Sequence, residues 1–303
     1  MMKTVRINRT DLCYEIFGEE HDVPILLISG LGSQMIRWED SFCELLSGKG
    51  FRVIRFDNRD SGCSVFYPEK DLDFNRDIHE IFSSLQKEGI PYSLMDMAED
   101  VIGLMDHLNI EKAHIAGRSM GGIIAQLLGA NFPERILTLT IIMSTSLHPA
   151  LPPADPEVMA MMMKPSADPV SDRALHIREK LDFAHTISGS LYPADPNVET
   201  ELIEKELSRS SGASFFLRQV IAMGTMQYNP EMLKKIKAPT LIIHGTEDPI
   251  FHPDCGKDLA RSIPDAELVF IEGMGHSIPR DLFDFISEKI SDHCCKKLYS
   301  SQK

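Results

Sequence analysis

Apolar residues recur in two rhythms along this 303-residue chain, and the alternation between them predicts its architecture. Residues 4–7 and 13–17 alternate with a period of two, as an opening strand pair should, with a turn at Asn8-Arg9-Thr10-Asp11. Pro24-Ile25-Leu26-Leu27-Ile28 is continuously apolar, the pattern of a strand buried on both faces. Phe42, Leu45 and Leu46 suggest a helix stopping near Gly48 and Gly50, and residues 51–56 form the next strand. From Ser93, whose hydroxyl can cap a helix, Leu94, Met97, Ala98, Val101, Ile102, Met105 and Leu108 follow at amphipathic helical spacing. A short apolar run at 113–116 precedes Met120, Ile123, Ile124, Leu127 and Leu128, again at helical spacing. Strand patterns return at 136–143, 240–244 and 268–271, with a helix near 256–262 between the last two. Leu282, Phe283, Ile286 and Ile290 mark a final helix.

Strands alternating with helices predict an α/β fold, a mainly parallel sheet with helices on both faces. Two segments interrupt the alternation. Residues 63–92 carry no strand pattern, although Ile78, Ile81, Phe82 and Leu85 suggest a short helix. Residues 144–230 open with prolines at 149, 152, 153 and 156, followed by a methionine cluster, a polar helix around 198–208 and an apolar run at 214–221. This reads as a helical cap (144–230) inserted into a core made of 1–143 and 231–303.

Composition narrows the partners. Thirty-one basic against 45 acidic residues give a net charge of −14, which argues against nucleic acid and anionic membrane surfaces. No apolar run approaches the roughly 20 residues that a membrane helix needs. The N-terminus enters strand pattern with no signal-like apolar block. Cysteines 13, 43, 63, 255, 294 and 295 are scattered, without zinc-type spacing, and Cys294-Cys295 falls in a polar C-terminal stretch. These features predict reduced structural thiols, no metal and a cytoplasmic location. Oligomeric state is not legible.

The chemistry centres on Gly117-Arg118-Ser119-Met120-Gly121, between a strand pattern and a helix pattern. A serine on such a turn is held in a strained backbone shape with its hydroxyl exposed, and small neighbours two positions away avoid collision. A serine hydroxyl attacks only when a base takes its proton, and the base needs an orienting acid. In a parallel sheet these groups belong at the C-terminal ends of strands. His276, in Gly273-Met274-Gly275-His276, follows the last strand and is the predicted base. His114 and His107 lie inside elements, His21 and His293 in polar segments, and His244 suits a packed turn position. Beyond residue 143 no carboxylate occurs before Asp155, whereas His244-Gly245-Thr246-Glu247-Asp248-Pro249 offers Asp248, with Glu247 its rival. Aspartate reaches less far and Pro249 fixes the turn, which favours Asp248. The oxyanion formed on attack needs backbone donors. The amides of Met120 and of Leu31, in Ser29-Gly30-Leu31-Gly32-Ser33, are the candidates. Position 35 is methionine, so the glycine turn is no dinucleotide fingerprint.

With Phe56-Asp57-Asn58-Arg59-Asp60-Ser61-Gly62 added, these motifs resemble the α/β-hydrolase fold over nearly the whole chain outside the cap. The run from Ala238-Pro239-Thr240-Leu241 to Asp248-Pro249-Ile250, Gly256-Lys257 and residues 273–276 are most similar to aclacinomycin methylesterase-like hydrolases. The resemblance implies a cofactor-free serine hydrolase acting on a small-molecule carboxylic ester. It also marks Asp57, Arg59 and Asp60 as a structural turn, with contacts at the site rim as the alternative. Ser29 stands where many relatives have histidine, which leaves the backbone donor intact. Cap sequences vary in this superfamily, so a polyketide methyl ester does not carry over. Hydrolysis of a lactone, thioester or C–C bond, or a receptor on the same scaffold, remains open. Serine at 119 argues against dehalogenation and epoxide opening, which need a carboxylate there. Met159, Met162, Met163, Phe215 and Phe216 are the cap residues expected to line a pocket for moderately bulky apolar esters.

Overall fold

The computed structural model describes residues 2–67, 89–164, 166–209 and 216–300, the last five by backbone alone. Its sheet has strands β1 (Lys3–Ile7), β2 (Thr10–Phe17), β3 (Val23–Ile28), β4 (Phe51–Phe56), β5 (Val65–Phe66), β6 (Ala113–Arg118), β7 (Ile136–Ile142), β8 (Thr240–Gly245) and β9 (Glu267–Ile271). The order is β1-β2-β4-β3-β6-β7-β8-β9, with β5 pairing β2 off this path. Pairs involving β1, β2 and β5 are antiparallel, and the pairs along β4-β3-β6-β7-β8-β9 are parallel.

Period-two alternation explains the two-sided core. On β3, Leu26 and Ile28 join the cluster packed under α2 (Leu94–His107) and α3 (Met120–Asn131). Their neighbours Ile25 and Leu27 join the opposite cluster, with Phe42 and Leu46 of α1 (Asp40–Ser47) and Ile286 and Ile290 of the C-terminal helix. A continuously apolar strand satisfies both layers at once.

At the start of α2, the Ser93 hydroxyl accepts from the Asp96 amide while the Asp96 carboxylate accepts from the Ser93 amide, a reciprocal cap for two otherwise orphaned donors. Ser93→Ala is expected to lower stability by about 1 kcal/mol, read as a shift in the urea midpoint at unchanged slope.

Between β7 and β8 the chain forms α4 (Pro156–Met163), α5 (Arg173–Ile187), α6 (Pro196–Arg209), α7 (Phe216–Gly224) and α8 (Pro230–Lys234). After β8 come α9 (Pro253–Ser262) and α10 (Phe283–Ser300). The inserted segment is tied down by charge. Arg37 bridges Glu199 at 2.6 Å and Glu206 at 2.8 Å, Arg209 meets Asp57 at 2.8 Å, and Arg218 meets Asp60 at 3.1 Å. Asp57, Asp60 and Arg218 are buried, and burial pushes both carboxyls upward while the arginines hold them down. Removing one partner of such a pair strands the other charge. The turn after β4 is therefore a structural turn and the seat of the inserted helices together.

Several expectations need correction. The stretch 63–92 does contain a strand, since Val65 and Phe66 pair with Asp11 and Thr10. Two residues are too few for an alternating pattern to register. The helix suggested near Ile78–Leu85 lies outside the described residues. Asn8 and Arg9, both with positive φ, make a two-residue turn, and Thr10 and Asp11 belong to β2. Helix α5 had no individual signal, and it buries none of its side chains, so no apolar stripe was available to reveal it. His293 and Cys294 are buried in α10, beside Pro239 and Thr138, although their neighbours in sequence are polar. A helix shows one buried stripe through an otherwise charged segment.

Candidate active site

The site begins with the backbone of Ser119, at φ 54° and ψ −123° between β6 and α3. A β-bearing residue in this region stores on the order of 1–3 kcal/mol of strain, held only when neighbours over-determine it. Here the Ser119 amide donates to Ile142 at 3.0 Å, and its carbonyl accepts from the Gly122 amide (2.9 Å) and the Ser144 hydroxyl (2.8 Å). Both flanking glycines are needed for space. A methyl group on Gly117 would overlap the carbonyl of Gly121, and one on Gly121 would overlap the carbonyl of Ile28.

Two loops then converge on the serine. The Nε2 of His276 lies 3.0 Å from Ser119 Oγ, and its Nδ1 lies 2.7 Å from Asp248 Oδ2. Asp248 is fixed on its other oxygen, where Oδ1 accepts from the amides of Ile250 (2.9 Å) and Phe251 (2.8 Å). The Phe251 and His276 rings pack in a T-shaped pair, 5.5 Å between centroids. With Nδ1–H donating to the carboxylate, Nε2 is left as the acceptor that faces the hydroxyl. The His276 amide itself donates to Ile187, the last residue of α5, so the inserted segment supports the histidine loop.

The rivals occupy other places. Glu247 is exposed and accepts from the amide and hydroxyl of Ser190 (2.6 and 2.8 Å). His244 is buried, its Nε2 2.7 Å from the Phe251 carbonyl and 3.5 Å from Asp248 Oδ2. Desolvation lowers its pKa, against the pull of Asp248, so this ring stays neutral near pH 7 and packs the turn. His114 is buried in β6 against the Thr138 hydroxyl.

Gly30 crosses directly over the serine, where an added Cβ would lie 3.1 Å from Ser119 Cβ. That brings the 29–33 turn against Ser119, with the Leu31 amide in it. Met120 is the first residue of α3, where helical N–H groups have no partner inside the helix. Among the described residues the metal-capable grouping is Cys13, Asp57 and Cys63. Its carboxylate is already engaged by Met35, Cys63 and the Arg209 guanidinium, an arrangement that opposes a cation.

A strand-to-helix serine, with an aspartate and a histidine arriving from the ends of two later parallel strands, defines a recognisable constellation. The family profile described as alpha/beta hydrolase fold matches residues 23–279. The chain belongs to that family. As a hydrolase of this fold it is similar to the rhodomycin D methylesterase DauP of Streptomyces sp. (strain C5), with 29% identity over 300 residues, covering 92% of this chain and 93% of the relative. It is also similar to a poly(3-hydroxyalkanoate) depolymerase of Ectopseudomonas oleovorans, 27% identical over 259 residues, covering 86% and 80%. Among solved structures, the enol-lactonase of Burkholderia xenovorans LB400 superposes with a TM-score of 0.72 at 24% identity, covering 96% and 99% of the two chains, and so shares the fold.

The residues expected to line a pocket from the hydrolase's inserted segment take different positions in the fold. Phe216 reaches the glycine turn, where an added Cβ on Gly32 would meet its ring at 2.9 Å. Met159 and Met163 are 39% and 51% exposed, Met162 is half-buried, and the buried member of α4 is Val158. Phe215 lies outside the described residues. The residue that the sequence gave no reason to single out is Gln219, a buried amide on α7 whose side chain reaches Gly32, Arg59 and Ser61. One glutamine inside an apolar helical run was its only signal.

Proposed function

We propose that this protein is a serine hydrolase that cleaves carboxylic esters of small to medium apolar molecules. The observation that carries the reading is the unbroken hydrogen-bonded line from Ser119 Oγ through His276 to Asp248 (3.0 and 2.7 Å). Ser119 Oγ attacks the ester carbonyl carbon as His276 Nε2 takes its proton. The carbonyl oxygen becomes an oxyanion held by the amides of Leu31 and Met120. Collapse expels the alkoxide, which takes the proton from His276 and leaves an acyl-Ser119 ester. Water then attacks that ester while His276 removes its proton, and a second collapse returns Ser119 and releases the acid. Asp248 keeps the proton on Nδ1 and stabilises the imidazolium at each transfer. The methylesterase relative supports ester carbonyls as the substrate class.

Specificity belongs to the inserted helices in this reading, because the elbow itself offers only small residues. Phe216 is an apolar side chain from the inserted segment that packs on the turn beside Ser119.

The test pairs a label with a panel. A fluorophosphonate is expected to modify Ser119 and no other residue, and p-nitrophenyl esters of short to medium acyl chains are expected to turn over faster than matched lactones and thioesters. Absence of Ser119 labelling in folded protein would overturn the reading. Faster turnover of the lactones or thioesters would move the substrate class and leave the serine mechanism standing.

A further inference from the structure

Helix α7 lies in the inserted segment, yet the side chain of Gln219 is fully buried against the core. Its Oε1 accepts from the Gly32 amide at 2.8 Å, and its Nε2 donates to the Arg59 carbonyl and the Ser61 hydroxyl, both at 2.8 Å. The orientation of the amide is fixed by its partners, since the Gly32 N–H can only donate and the Arg59 carbonyl can only accept. One turn earlier on the same helix face, the Phe216 ring packs on Gly32. The turn that supplies Arg59 and Ser61 is independently tied to the glycine turn, because Asn58 Nδ2 donates to the Ser29 carbonyl and Asp57 Oδ1 accepts from Met35. Gln219 therefore joins three segments at one point: the inserted helix, the turn after β4 and the glycine turn over Ser119.

The engaged atom matters. The Gly32 N–H lies in the peptide plane adjoining the one that carries the Leu31 N–H. Holding it outward on Gln219 sets the torsions at Leu31 and Gly32, the latter at φ 66°. It also removes Gly32 as an oxyanion donor, whereas the Leu31 amide has no hydrogen-bond acceptor among the described residues. Oxyanion donors act because they are aimed before charge develops, so a residue that fixes their plane changes the transition state more than the ground state.

We infer that Gln219 is a positioning residue for the oxyanion hole, through which the inserted helix sets the aim of the Leu31 amide. The inference rests on the serine-esterase reading above. Gln219→Met keeps the length of the side chain and removes all three hydrogen bonds. It is expected to lower kcat on a p-nitrophenyl ester by about 10- to 100-fold, less than or comparable to outright loss of one donor, with KM within about threefold. The discriminating readout is a pair of inhibitors. A trifluoromethyl ketone places an oxyanion on its Ser119 adduct, and its affinity is expected to fall by the same factor as kcat/KM. The matched methyl ketone, a ground-state mimic, is expected to bind the variant as it binds the parent. Unchanged kcat and trifluoromethyl ketone affinity, or equal loss for both ketones, would overturn the inference. Should Gln219→Met fail to fold, Ser61→Ala removes one of the three hydrogen bonds and is expected to give the same selective pattern at about two- to fivefold. No selective loss there would overturn the inference equally. Failure of the underlying reading has a separate signature: the parent enzyme would take no fluorophosphonate and would bind the two ketones alike.

Discussion

A folded Ser119→Ala protein is expected to hydrolyse esters about 10⁴- to 10⁶-fold more slowly than the parent, with circular dichroism and unfolding midpoint preserved. The size follows from the mechanism. Without Oγ there is no acyl-enzyme, and His276 has no serine hydroxyl to deprotonate. What persists is binding and the oxyanion amides acting on attack by water, which retain a residual acceleration over solution. The substitution removes one oxygen and leaves the φ 54° backbone, with the Ile142, Gly122 and Ser144 bonds that hold it, in place. A folded variant that retains more than a few per cent of parental kcat would show that another group is the nucleophile.

The second large effect separates two adjacent carboxylates. Asp248→Asn is expected to lower kcat by roughly 10⁴, because an amide nitrogen facing His276 Nδ1 favours the tautomer with its proton on Nε2, where a lone pair is needed. The Oδ1 bonds to Ile250 and Phe251 can persist on the asparagine oxygen, so the fold should survive. Glu247→Gln keeps an oxygen for the Ser190 donors and is expected to cost less than about tenfold. Matched kcat measurements decide the matter, and the reverse ranking would assign the orienting role to Glu247.

The same pair shows how far the sequence could be read. Reach and the rigidity given by Pro249 favour Asp248 over Glu247, and in the fold Asp248 faces His276 while Glu247 meets Ser190. The reading is possible from sequence because the turn after a parallel strand leaves few places for a carboxylate to stand. His244 was likewise readable as a packed turn residue. His293 and Cys294 were not, since their burial depends on which stripe of α10 meets β7 and the chain before β8. Helix α5 was missed individually for the related reason that it has no buried stripe at all.

The inserted segment marks the boundary of such reading. Its helical character and position after β7 were legible from the break in strand alternation, but its contacts were not. The flexible apolar side chains of the methionines suggest a pocket lining; in the fold Met159 and Met163 are partly exposed on α4, while Phe216, with Gln219, reaches the glycine turn. Composition gives a helix an apolar or polar character, and it says nothing of which face meets which surface once the connection is long.

By itself the sequence determined the alternation of strands and helices, the two-sided burial of the central strands, the strained serine turn and which strand-end loops bring Asp248 and His276 beside Ser119. Each of these rests on short-range spacing or on the rule that functional loops gather at the C-terminal ends of parallel strands. Tertiary structure alone decided that Gln219 and Phe216 clamp Gly32, that Arg37, Arg209 and Arg218 seat the inserted helices on buried or partly buried carboxylates, and that Ile187 supports the His276 backbone. These contacts join residues 89 to 187 positions apart, and no local pattern encodes a pairing whose partners meet only after the sheet has assembled.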